Sequence, residues 1–571
     1  MKKLFILIIL CYLSSLFAQS YITPIGEGTP ENPYQISSLE NLYWITIRDT
    51  VDNLSYSSRM HKHYIQTCDI DAQATSNSTA GWLPIGYDET NCEFRGSYDG
   101  QNFTIYNLMI NRPNTDYIGL FGIGGTLKNL SLEDYNINGS DYVGALVGKS
   151  SSVIENIHVN GNLSGEWYVG GIVGFGNTII NSSSNSVIIN SHFYVGGIAG
   201  VINNATNCYS TANVIGHAYV GGIAGAAGGV IDVCFFDGSL GGIAKTDITN
   251  EKNNSKILIY YFGGIVGFNR GLIKNSYNLA DLGYRMGGIV GYAVVSSLII
   301  NCYNYGNDVS NENYPKSAGI VFENNGYVRR CHNMGDVGSG ICYYMEGLSL
   351  VKDCYSFGNC ETGIVSYVSE YAVLEKSYSC GVNNYPIFRS ATSYALIRNC
   401  VWNNELSSDV SDETLNNYTS HLNIISANTQ EMKDISTYTA IGWDFDSVWA
   451  ISDDFNEGYP YLQWQNEPTP IDDEEIITLN NDLDFSIYPN PFNPETNISL
   501  DLKQQANVNI SIYNIKGQLI KTVINGSLNP QKYNFEWDGY NNFSKSVSSG
   551  IYFCKVSVNN QVIVKRMLLL K

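Results

Sequence analysis

The sequence has few charged residues, and basic residues are the scarcer kind. Only 15% of its 571 residues are charged, and 32 Lys and Arg stand against 53 Asp and Glu, which gives a formal net charge of −21. Globular proteins usually carry about 25% charged residues. Because nucleic acids and anionic membranes attract basic patches, this balance removes both from the expected partners.

Sequence signatures of catalysis and metal binding are also lacking. No His-Glu-x-x-His pattern is present, and His61-Lys62-His63 lacks both the glutamate and the spacing of such a site. Neither a Gly-x-Ser-x-Gly elbow nor a phosphate-binding Gly-x-x-x-x-Gly-Lys-Ser loop occurs, and no Cys-x-x-Cys pair predicts zinc. The motifs therefore predict no catalytic residue, no metal ligand and no cofactor.

The N-terminus has the pattern of a cleaved secretory signal peptide, residues 1–18. Two lysines precede an apolar run at 4–13, and the small residue Ala18 stands before Gln19, where we predict cleavage. No later stretch reaches the roughly 18 continuous apolar residues that a transmembrane helix needs. We expect export, with no transmembrane segment.

A short glycine-rich motif recurs along the chain. Residues 194–200 read YVGGIAG, and the related copies begin at Tyr142, Tyr168, Tyr219, Tyr261 and Arg285. The first glycines of four successive copies are Gly144, Gly170, Gly196 and Gly221, so their spacing is almost constant. A fixed period of about 26 residues is typical of repeat architectures.

A second position, usually preceded by Asn, sets the register of every repeat. Its residues are Leu108, Leu130, Ile157, Ser182, Cys208, Cys234, Ser276, Cys302, Cys331, Cys354, Ser377 and Cys400. The steps between successive members are similar, except for one much longer step from Cys234 to Ser276. The long step contains a polar segment at about 245–256, where we predict a loop.

The repeats predict an all-β fold whose main part is a parallel β-helix over residues 108–401. Short apolar runs broken by Gly and Asn have strand lengths, and about twelve coils would stack about 4.8 Å apart. Equal positions then form ladders: one of Tyr117, Tyr142, Tyr168, Tyr194, Tyr219 and Tyr261, and one of Ile172, Ile198, Ile223, Ile265 and Ile289. The paired glycines would permit a tight bend or a close backbone contact. Because a bend changes the side-chain alternation, the pattern leaves open which ladder faces inward.

The cysteines fit this register. Cys11 lies in the signal peptide, and six others share the second repeat position with serines. A position that accepts either residue is predicted to be a small core site rather than half of a disulfide. Cys342, Cys360 and Cys380 lie off that column, and pairing among them is compatible with export.

The remaining segments complete the predicted domain organisation. Residues 19–107 would cap the first coil and contain a short helix at 37–47 that begins at Ser37 or Ser38. Residues 402–464 would cap the last coil, and 465–484 would be an acidic linker. Alternating apolar segments separated by turns predict a small β-sandwich at 485–571.

The repeats resemble the GLUG motif of bacterial surface proteins and of immunoglobulin-A-specific metallopeptidases. The flanking segments are similar to that family too, at 82–86 (WLPIG), 442–445 (GWDF) and 458–462 (GYPYL). The resemblance covers about residues 26–464. It implies a fold and a surface location more than a reaction.

The last domain resembles type IX secretion sorting domains, which are related to the immunoglobulin-like domain of flagellar hook-cap proteins. The resemblance starts at a motif made of Tyr488, Pro489, Asn490, Pro491, Phe492, Asn493 and Pro494. It implies an immunoglobulin-like sandwich that engages the outer-membrane secretion machinery. The protein would then pass through the periplasm and across the outer membrane, to be attached to the cell surface or released.

One polar column is a candidate site. Glu166, His192 and His217 stand four residues before the first motif glycine on consecutive coils, where they would bind a metal or move a proton. The simpler interpretation is an exposed polar ladder. The equivalent residues on neighbouring coils, Ser140 and Ile259, favour this simpler interpretation because neither continues the column's chemistry.

Three functional hypotheses follow. The favoured one is non-enzymatic adhesion, or binding of a glycan or a surface protein through the Tyr-, Asn- and Ser-rich β-helix. The alternative is a carbohydrate-active enzyme, a polysaccharide lyase or hydrolase, which needs clustered carboxylates. Asp69, Asp71 and Asp99 are interpreted instead as cap and turn residues. The third hypothesis is a structural spacer without a ligand.

Overall fold

The computed structural model describes residues 20–87, 92–242, 261–310, 317–392, 394–407, 421–465, 485–488, 492, 495–502, 505–514, 519–542, 545–548, 550–558 and 561–569. Strands account for 52% of the residues and helices for 7%. The chain divides into two compact units, one up to Pro460 and one from Tyr461. The predicted signal peptide, the predicted loop at 245–256 and residues 466–484 of the predicted linker lie outside the described residues.

The first unit begins with two short helices. One spans Leu39–Thr46, and the hydroxyl of Ser38 accepts a hydrogen bond from the backbone N–H of Asn41, so the predicted helix and its N-cap are confirmed. It buries Trp44 completely. The other helix spans Tyr56–Arg59.

Parallel stacking starts within the predicted N-terminal cap. The early strands are Tyr34–Ile36, His63–Gln66, Ile70–Asp71, Phe94–Asp99, Thr104–Tyr106 and Met109–Asn111. Tyr34 pairs in parallel with Tyr64, Tyr64 with Tyr98, and Tyr98 with Leu127. The first coils are therefore built before the recognisable repeats begin.

The main body is a parallel β-solenoid of about 13 turns, as predicted. The coils have a strand that follows the motif glycines, and those from Asp141 to Gly287 also have a strand that leads into them. The leading strands are Asp141–Gly144, Trp167–Gly170, Val187–Gly196, Asn213–Gly221, Phe262–Gly263 and Met286–Gly287. The following strands are Phe121–Asn138, Val147–Lys149, Val173–Ile180, Ala199–Thr206, Ala224–Ala227, Val266–Asn269, Val290–Ala293, Val321–Asn324, Cys342–Met345, Val365–Val368 and Phe388–Ala391.

Two further strand columns complete each coil, one before and one after the Cys/Ser position. The strands before it include Val153–Ser164, Val230–Asp232, Leu272–Lys274, Leu298–Ile300, Tyr327–Arg329, Leu350–Lys352, Val373–Glu375, Leu396–Asn403 and His421–Ala427. The strands after it include Ser183–Ser184, Tyr209–Ser210, Phe235–Phe236, Tyr277–Asn278, Tyr303–Asn304, His332–Asn333, Tyr355–Ser356 and Tyr378–Ser379, with Ser239–Gly242 beyond them.

The isoleucine ladder faces the interior. Ile172, Ile198, Ile223, Ile265 and Ile289 are fully buried. The Cys/Ser position is equally buried, and both residue types donate to the same backbone carbonyl, two residues earlier. Cys208 Sγ lies 3.4 Å from Thr206 O, and Ser276 Oγ lies 2.8 Å from Lys274 O. This shared acceptor explains why the position takes either residue.

All twelve cysteines from Cys68 to Cys554 are free thiols. Cys342, Cys360 and Cys380 are buried and unbridged, so the pairing that the sequence left open is not formed. Cys342 Sγ instead donates to the carbonyl of Tyr344, at 3.1 Å.

The second motif glycine lies in close contact with the backbone of the next coil. A β-carbon added at Gly197 would lie 2.2 Å from the carbonyl oxygen of Gly222, and one at Gly340 would lie 2.0 Å from that of Gly363. Of the two roles predicted for the paired glycines, the close backbone contact is confirmed at this position. The same contact recurs at Gly171, Gly222, Gly264, Gly288, Gly319 and Gly363.

A helix and two tryptophans cover the last coils. The helix spans Ile435–Thr439, and a short strand spans Trp449–Ala450. Trp449 is fully buried against Tyr378, with ring centroids 5.9 Å apart, and its Nε1 lies 3.3 Å from Asp353 Oδ1. Trp443 packs on Trp449, with ring centroids 4.6 Å apart. This packing covers the aromatic column of Tyr355 and Tyr378 on the last coils.

The second unit contains two antiparallel sheets. One has strands Phe485–Tyr488, Thr496–Asp501 and Lys532–Trp537, and the other has Ala506–Asn514, Leu519–Leu528, Gly550–Val558 and Gln561–Leu569. Both sheets contribute to one core, in which Ile498 and Trp537 meet Ile510, Val556 and Met567. This is the predicted β-sandwich.

Candidate functional site

The tyrosine that opens each motif lies at an outward corner of the coil. Its backbone is left-handed, with φ of 57° at Tyr142, 56° at Tyr168 and 57° at Tyr194. This bend interrupts the in-and-out alternation of side chains along the strand. The tyrosine ring is therefore half-buried at the surface, while the following valine is buried in the core. The predicted tyrosine ladder is confirmed, and it faces outward.

The rings of the tyrosine ladder stack on one another along the solenoid. Successive centroids from Tyr117 to Tyr261 are 4.8, 4.7, 5.2, 4.9 and 6.0 Å apart. Stacking occupies both faces of the inner rings, and burial raises the pKa of Tyr142 and Tyr168, which keeps their hydroxyls protonated. The ladder therefore offers hydroxyl groups and ring edges rather than open ring faces.

The predicted polar column is assembled beside this ladder. The backbone N–H of His192 donates to the carbonyl of Glu166 at 2.7 Å, and the imidazoles of His192 and His217 stack with centroids 5.4 Å apart. Glu166 is exposed, His192 is half-buried and His217 is buried. Burial, and then the proximity of His192, lowers the pKa of His217, so this ring is neutral at physiological pH.

The geometry of the polar column does not favour a shared metal. The two imidazole planes are only 10° from parallel, so their nitrogen lone pairs lie side by side instead of converging on one point. In the part of the chain that the structure describes, no group of three or more His, Cys, Asp and Glu residues is placed to hold a metal ion. Hydrogen bonding to a ligand is the chemistry that this column offers.

An aromatic pair of one exposed and one half-buried ring lies next to the polar column, and the repeat pattern alone did not draw attention to it. Trp167 and Phe193, three residues before Gly170 and Gly196, stack with centroids 4.4 Å apart. We call them the ring platform. Trp167 is 36% exposed, because its neighbour on the other side, in register, is the smaller Asp141. Reading the column one position after the polar column would have revealed the pair.

A second cluster combines a carboxylate with a tyrosine hydroxyl. Glu323 lies in register between Tyr292 and Tyr344, and the hydroxyl of Tyr261 donates to Glu323 Oε2 at 3.1 Å. Burial and the nearby Glu346 raise the pKa of Glu323, while the hydrogen bond from Tyr261 and the charge of Arg285 oppose the rise. These residues come from different coils, so their proximity is not visible in the sequence.

The aspartates of the first coils organise turns. Asp71 Oδ1 accepts from the N–H of Gln73 at 2.9 Å, and Asp99 Oδ1 accepts from the N–H of Gln101 at 3.0 Å. Asp69 Oδ1 accepts from the N–H of Thr104 at 2.9 Å. The prediction that these residues are structural is confirmed.

The sorting motif is described only in part. Tyr488 ends the strand Phe485–Tyr488, and Phe492 is buried against Trp537 with ring centroids 5.4 Å apart. Pro489, Asn490, Pro491, Asn493 and Pro494 lie outside the described residues, as do Ala18 and Gln19 of the predicted cleavage site.

Comparison with protein families identifies the last domain. Residues 486–570 match the family described as "Secretion system C-terminal sorting domain". Such a domain directs a protein to the type IX secretion machinery, so this protein is exported to the cell surface or beyond, as predicted. Among the described residues, the structure has no helix that is both long and apolar enough to span a membrane.

Three relatives match shorter parts of the chain. Halomucin of Haloquadratum walsbyi is 38% identical over 144 residues, which are 24% of this chain and 2% of halomucin. A putative Gly-rich membrane protein of Evansella cellulosilytica is 38% identical over 148 residues, 25% of this chain and 16% of that protein. Immunoglobulin A1 protease of Streptococcus sanguinis is 40% identical over 68 residues, 12% of this chain and 3% of the protease.

The chain thus spans only 2% to 16% of the length of these relatives. The matches identify shared segments and not a shared activity. The class that fold and comparison define together is an exported β-solenoid protein with a C-terminal type IX sorting domain.

Proposed function

We propose that this protein is a non-enzymatic surface adhesin whose solenoid binds a glycan at the ring platform. The single observation that carries the proposal is the exposure of Trp167 on a rigid stack, with Phe193 behind it and polar side chains on both flanks. An exported protein meets glycans at the cell surface, and a fixed aromatic ring binds with little loss of side-chain entropy.

The chemistry of the platform suits a neutral sugar. The indole offers an apolar surface to the C–H groups of a sugar ring, while Glu166, His192 and Asp141 offer hydrogen bonds to its hydroxyls. The tyrosine ladder extends this surface with a row of hydroxyls. Its inner ring faces are already stacked, so the platform is the place where a sugar would stack.

We propose that the repeats are of the GLUG type, and their similarity to the repeats of surface proteins supports a role at the surface. The short match to an immunoglobulin A1 protease is consistent with this resemblance. We propose, in the same way, that the C-terminal sandwich is immunoglobulin-like and is used for sorting.

The test is a glycan array probed with the mature full-length chain and with Trp167→Ala. We expect the variant to lose at least about tenfold in affinity, because an aromatic anchor at the centre of a contact typically dominates its energy. Tyr284→Ala, which removes another exposed tyrosine of the solenoid, is the matched control and should bind like the wild type. Unchanged binding by Trp167→Ala, or no glycan bound by any form, would refute the proposal and favour a spacer.

A second candidate function rests on Glu323. A carboxyl group whose pKa is raised by burial is the type of group that serves as a general acid in glycosidic cleavage, and Glu346 would supply the second carboxylate of a polysaccharide hydrolase. Release of reducing ends from a polysaccharide panel tests it. Turnover by the wild type that Glu323→Gln abolishes would support the enzyme; turnover that survives this change would exclude Glu323 as its acid.

A further inference from the structure

The second half of the solenoid gathers cations on one face, although the protein is strongly acidic. Arg329, Lys352, Glu375 and Arg398 occupy the same position of successive coils and are paired in register. The next position along the chain adds Arg330 and Lys376. We call the five basic residues the cationic strip.

The carboxylate within the strip is held between two cations. Glu375 lies 2.7 Å from Lys352 Nζ and 2.6 Å from Arg398, and it is only 7% exposed. Burial opposes its ionisation, but these hydrogen bonds hold the pKa of Glu375 below its usual range. Lys352 and Arg398 remain 31% and 42% exposed, and Arg329 is exposed.

Two further carboxylates near the strip have hydrogen-bond donors of their own. Asp353 is buried, and the indole of Trp449 donates to it. Asp444 accepts from the hydroxyl of Ser447, and the charge of Lys376 adds to the lowering of its pKa. Among the described residues, Glu375, Asp353 and Asp444 are therefore already engaged by hydrogen-bond donors.

The backbone at Arg330 and Lys376 is left-handed. Both lie at the left-handed turn before the Cys/Ser position, with φ of 52° and 49°. Most other coils place Asn there, as at Asn181, Asn275 and Asn301. Asn tolerates this conformation better than a long side chain does. An asparagine at either position would therefore relieve strain in the turn while it removes a cation.

Apolar side chains border the strip. Tyr327, Leu350, Val373 and Leu396 form the outward column two residues before it and are at least partly exposed. At the preceding turn, Leu348, Tyr371 and Tyr394 are more than half exposed, and the last two rings stack with centroids 5.7 Å apart. The surface thus combines a line of charge with a line of apolar contacts.

We propose that the cationic strip binds a linear acidic polysaccharide, one that carries uronate or sulfate groups, along the solenoid axis. Charge complementarity selects an anionic partner, since Arg329, Lys352 and Arg398 all keep exposed surface on this face. The strip is straight because parallel coils stack in register. The apolar column beside it suits the C–H faces of sugar rings.

This site is independent of the ring platform, because it lies on other coils and selects for charge. Titration of the mature full-length chain with polygalacturonate and with heparin tests it, and neutral dextran is the reference probe. We expect binding to both anionic polymers, weakening steeply as salt rises, since bound cations release counterions from the polymer. Binding to dextran with equal affinity would overturn the proposal.

Variants locate the site. Arg329→Gln combined with Lys376→Asn should weaken binding to the polyanions at least about tenfold and flatten the salt dependence. Lys376→Asn alone should bind more weakly yet raise the thermal midpoint, because it relieves a strained turn, so loss of binding is separated from loss of folding. Lys274→Gln is the matched control: it removes a cation of the same column, two coils earlier and paired with Asp232 at 3.6 Å.

The following results would refute the proposed site or its ligand class. Unchanged affinity in Arg329→Gln with Lys376→Asn, or equal loss in Lys274→Gln, refutes the strip. Tighter binding to duplex DNA or to anionic vesicles than to either polysaccharide refutes the assigned ligand class. Trp167→Ala should bind polygalacturonate like the wild type, so failure of the ring-platform proposal leaves this one standing.

Discussion

The first half of the solenoid, residues 142–291, and the second half, residues 317–403, share an interior and differ in their surface. Both halves keep the close glycine contact and the buried Cys/Ser position. The first half has the longer coils and carries the tyrosine ladder, whereas the second has shorter coils and carries the cationic strip. The inward-facing columns determine the conformation of each coil, whereas the outward-facing columns differ in residue type between the two halves.

This division suggests where function can change without loss of the fold. An inward residue contacts its neighbours above and below, so a substitution there also disturbs the two adjacent coils. An outward residue meets solvent on one side. The substitutions below test how far the shared interior extends, from the largest expected effect to the smallest.

The glycine contact should be equally strict in both halves. Gly197→Ala and Gly340→Ala each place a β-carbon within about 2 Å of a carbonyl oxygen, so we expect each to lower the free energy of unfolding by about 3 kcal/mol or more. Guanidinium denaturation measures this. Gly228→Ala, whose β-carbon would meet only the end of the Asn203 side chain, is the control. A harmless Gly340→Ala would show that the halves follow different rules.

In the second half, a histidine replaces an aromatic residue in the stack of rings that follows the Cys/Ser position. His332 lies between Tyr303 and Tyr355 with ring centroids 5.1 and 4.9 Å away, and burial lowers its pKa to about 3. The unfolded chain takes up this proton below about pH 6.5 and the folded chain does not. The neutral His332 ring therefore contributes to the free energy of unfolding above about pH 6.5, and this contribution is lost as the pH falls toward 3. At pH 5 the loss is about 2 kcal/mol.

His332→Tyr should remove this acid sensitivity by restoring the residue type of its neighbours. Thermal midpoints at pH 7 and pH 5 provide the measurement, with the exposed His61→Tyr as control. If the variant loses as much stability as the wild type between these two values, the histidine does not account for the acid sensitivity.

The Cys/Ser position should tolerate exchange between the halves. In Cys331→Ser the new hydroxyl would donate to the carbonyl of Arg329, as the thiol does now at 3.2 Å, so we expect a change below about 1 kcal/mol. Cys331→Leu, which overfills the same site, should cost about 2 kcal/mol. Equal unfolding midpoints for the two variants would contradict a tightly packed column.

The ladders were predictable because their signals recur at short, regular intervals, although the pattern left open which of them faces inward. The isoleucine ladder, the glycine contact and the Cys/Ser position all follow from the repeat period. The orientation of the tyrosines did not follow, because the left-handed bend at residues such as Tyr168 breaks the alternation of the strand. Only the backbone geometry reveals that bend.

The candidate sites were less predictable than the fold. The polar column of Glu166, His192 and His217 was found from the period and is assembled, but its role stays a prediction. The cationic strip escaped notice because its members, from Arg329 to Arg398, are spread over several coils of a chain whose net charge is negative. Coil stacking brings basic residues from distant parts of the sequence onto one face, and the net charge of the whole chain does not reveal such a local cluster.

The stacking of coils also determines how the protein responds to a pull. Hydrogen bonds between coils run along the solenoid axis, and each coil is paired mainly with the one before and the one after. A pulling force on a terminal coil breaks the hydrogen bonds between that coil and its neighbour before the force acts on the next pair of coils. Each coil of about 23 residues would release about 80 Å of extended chain, so the solenoid would lengthen in steps and limit the force on whatever it holds.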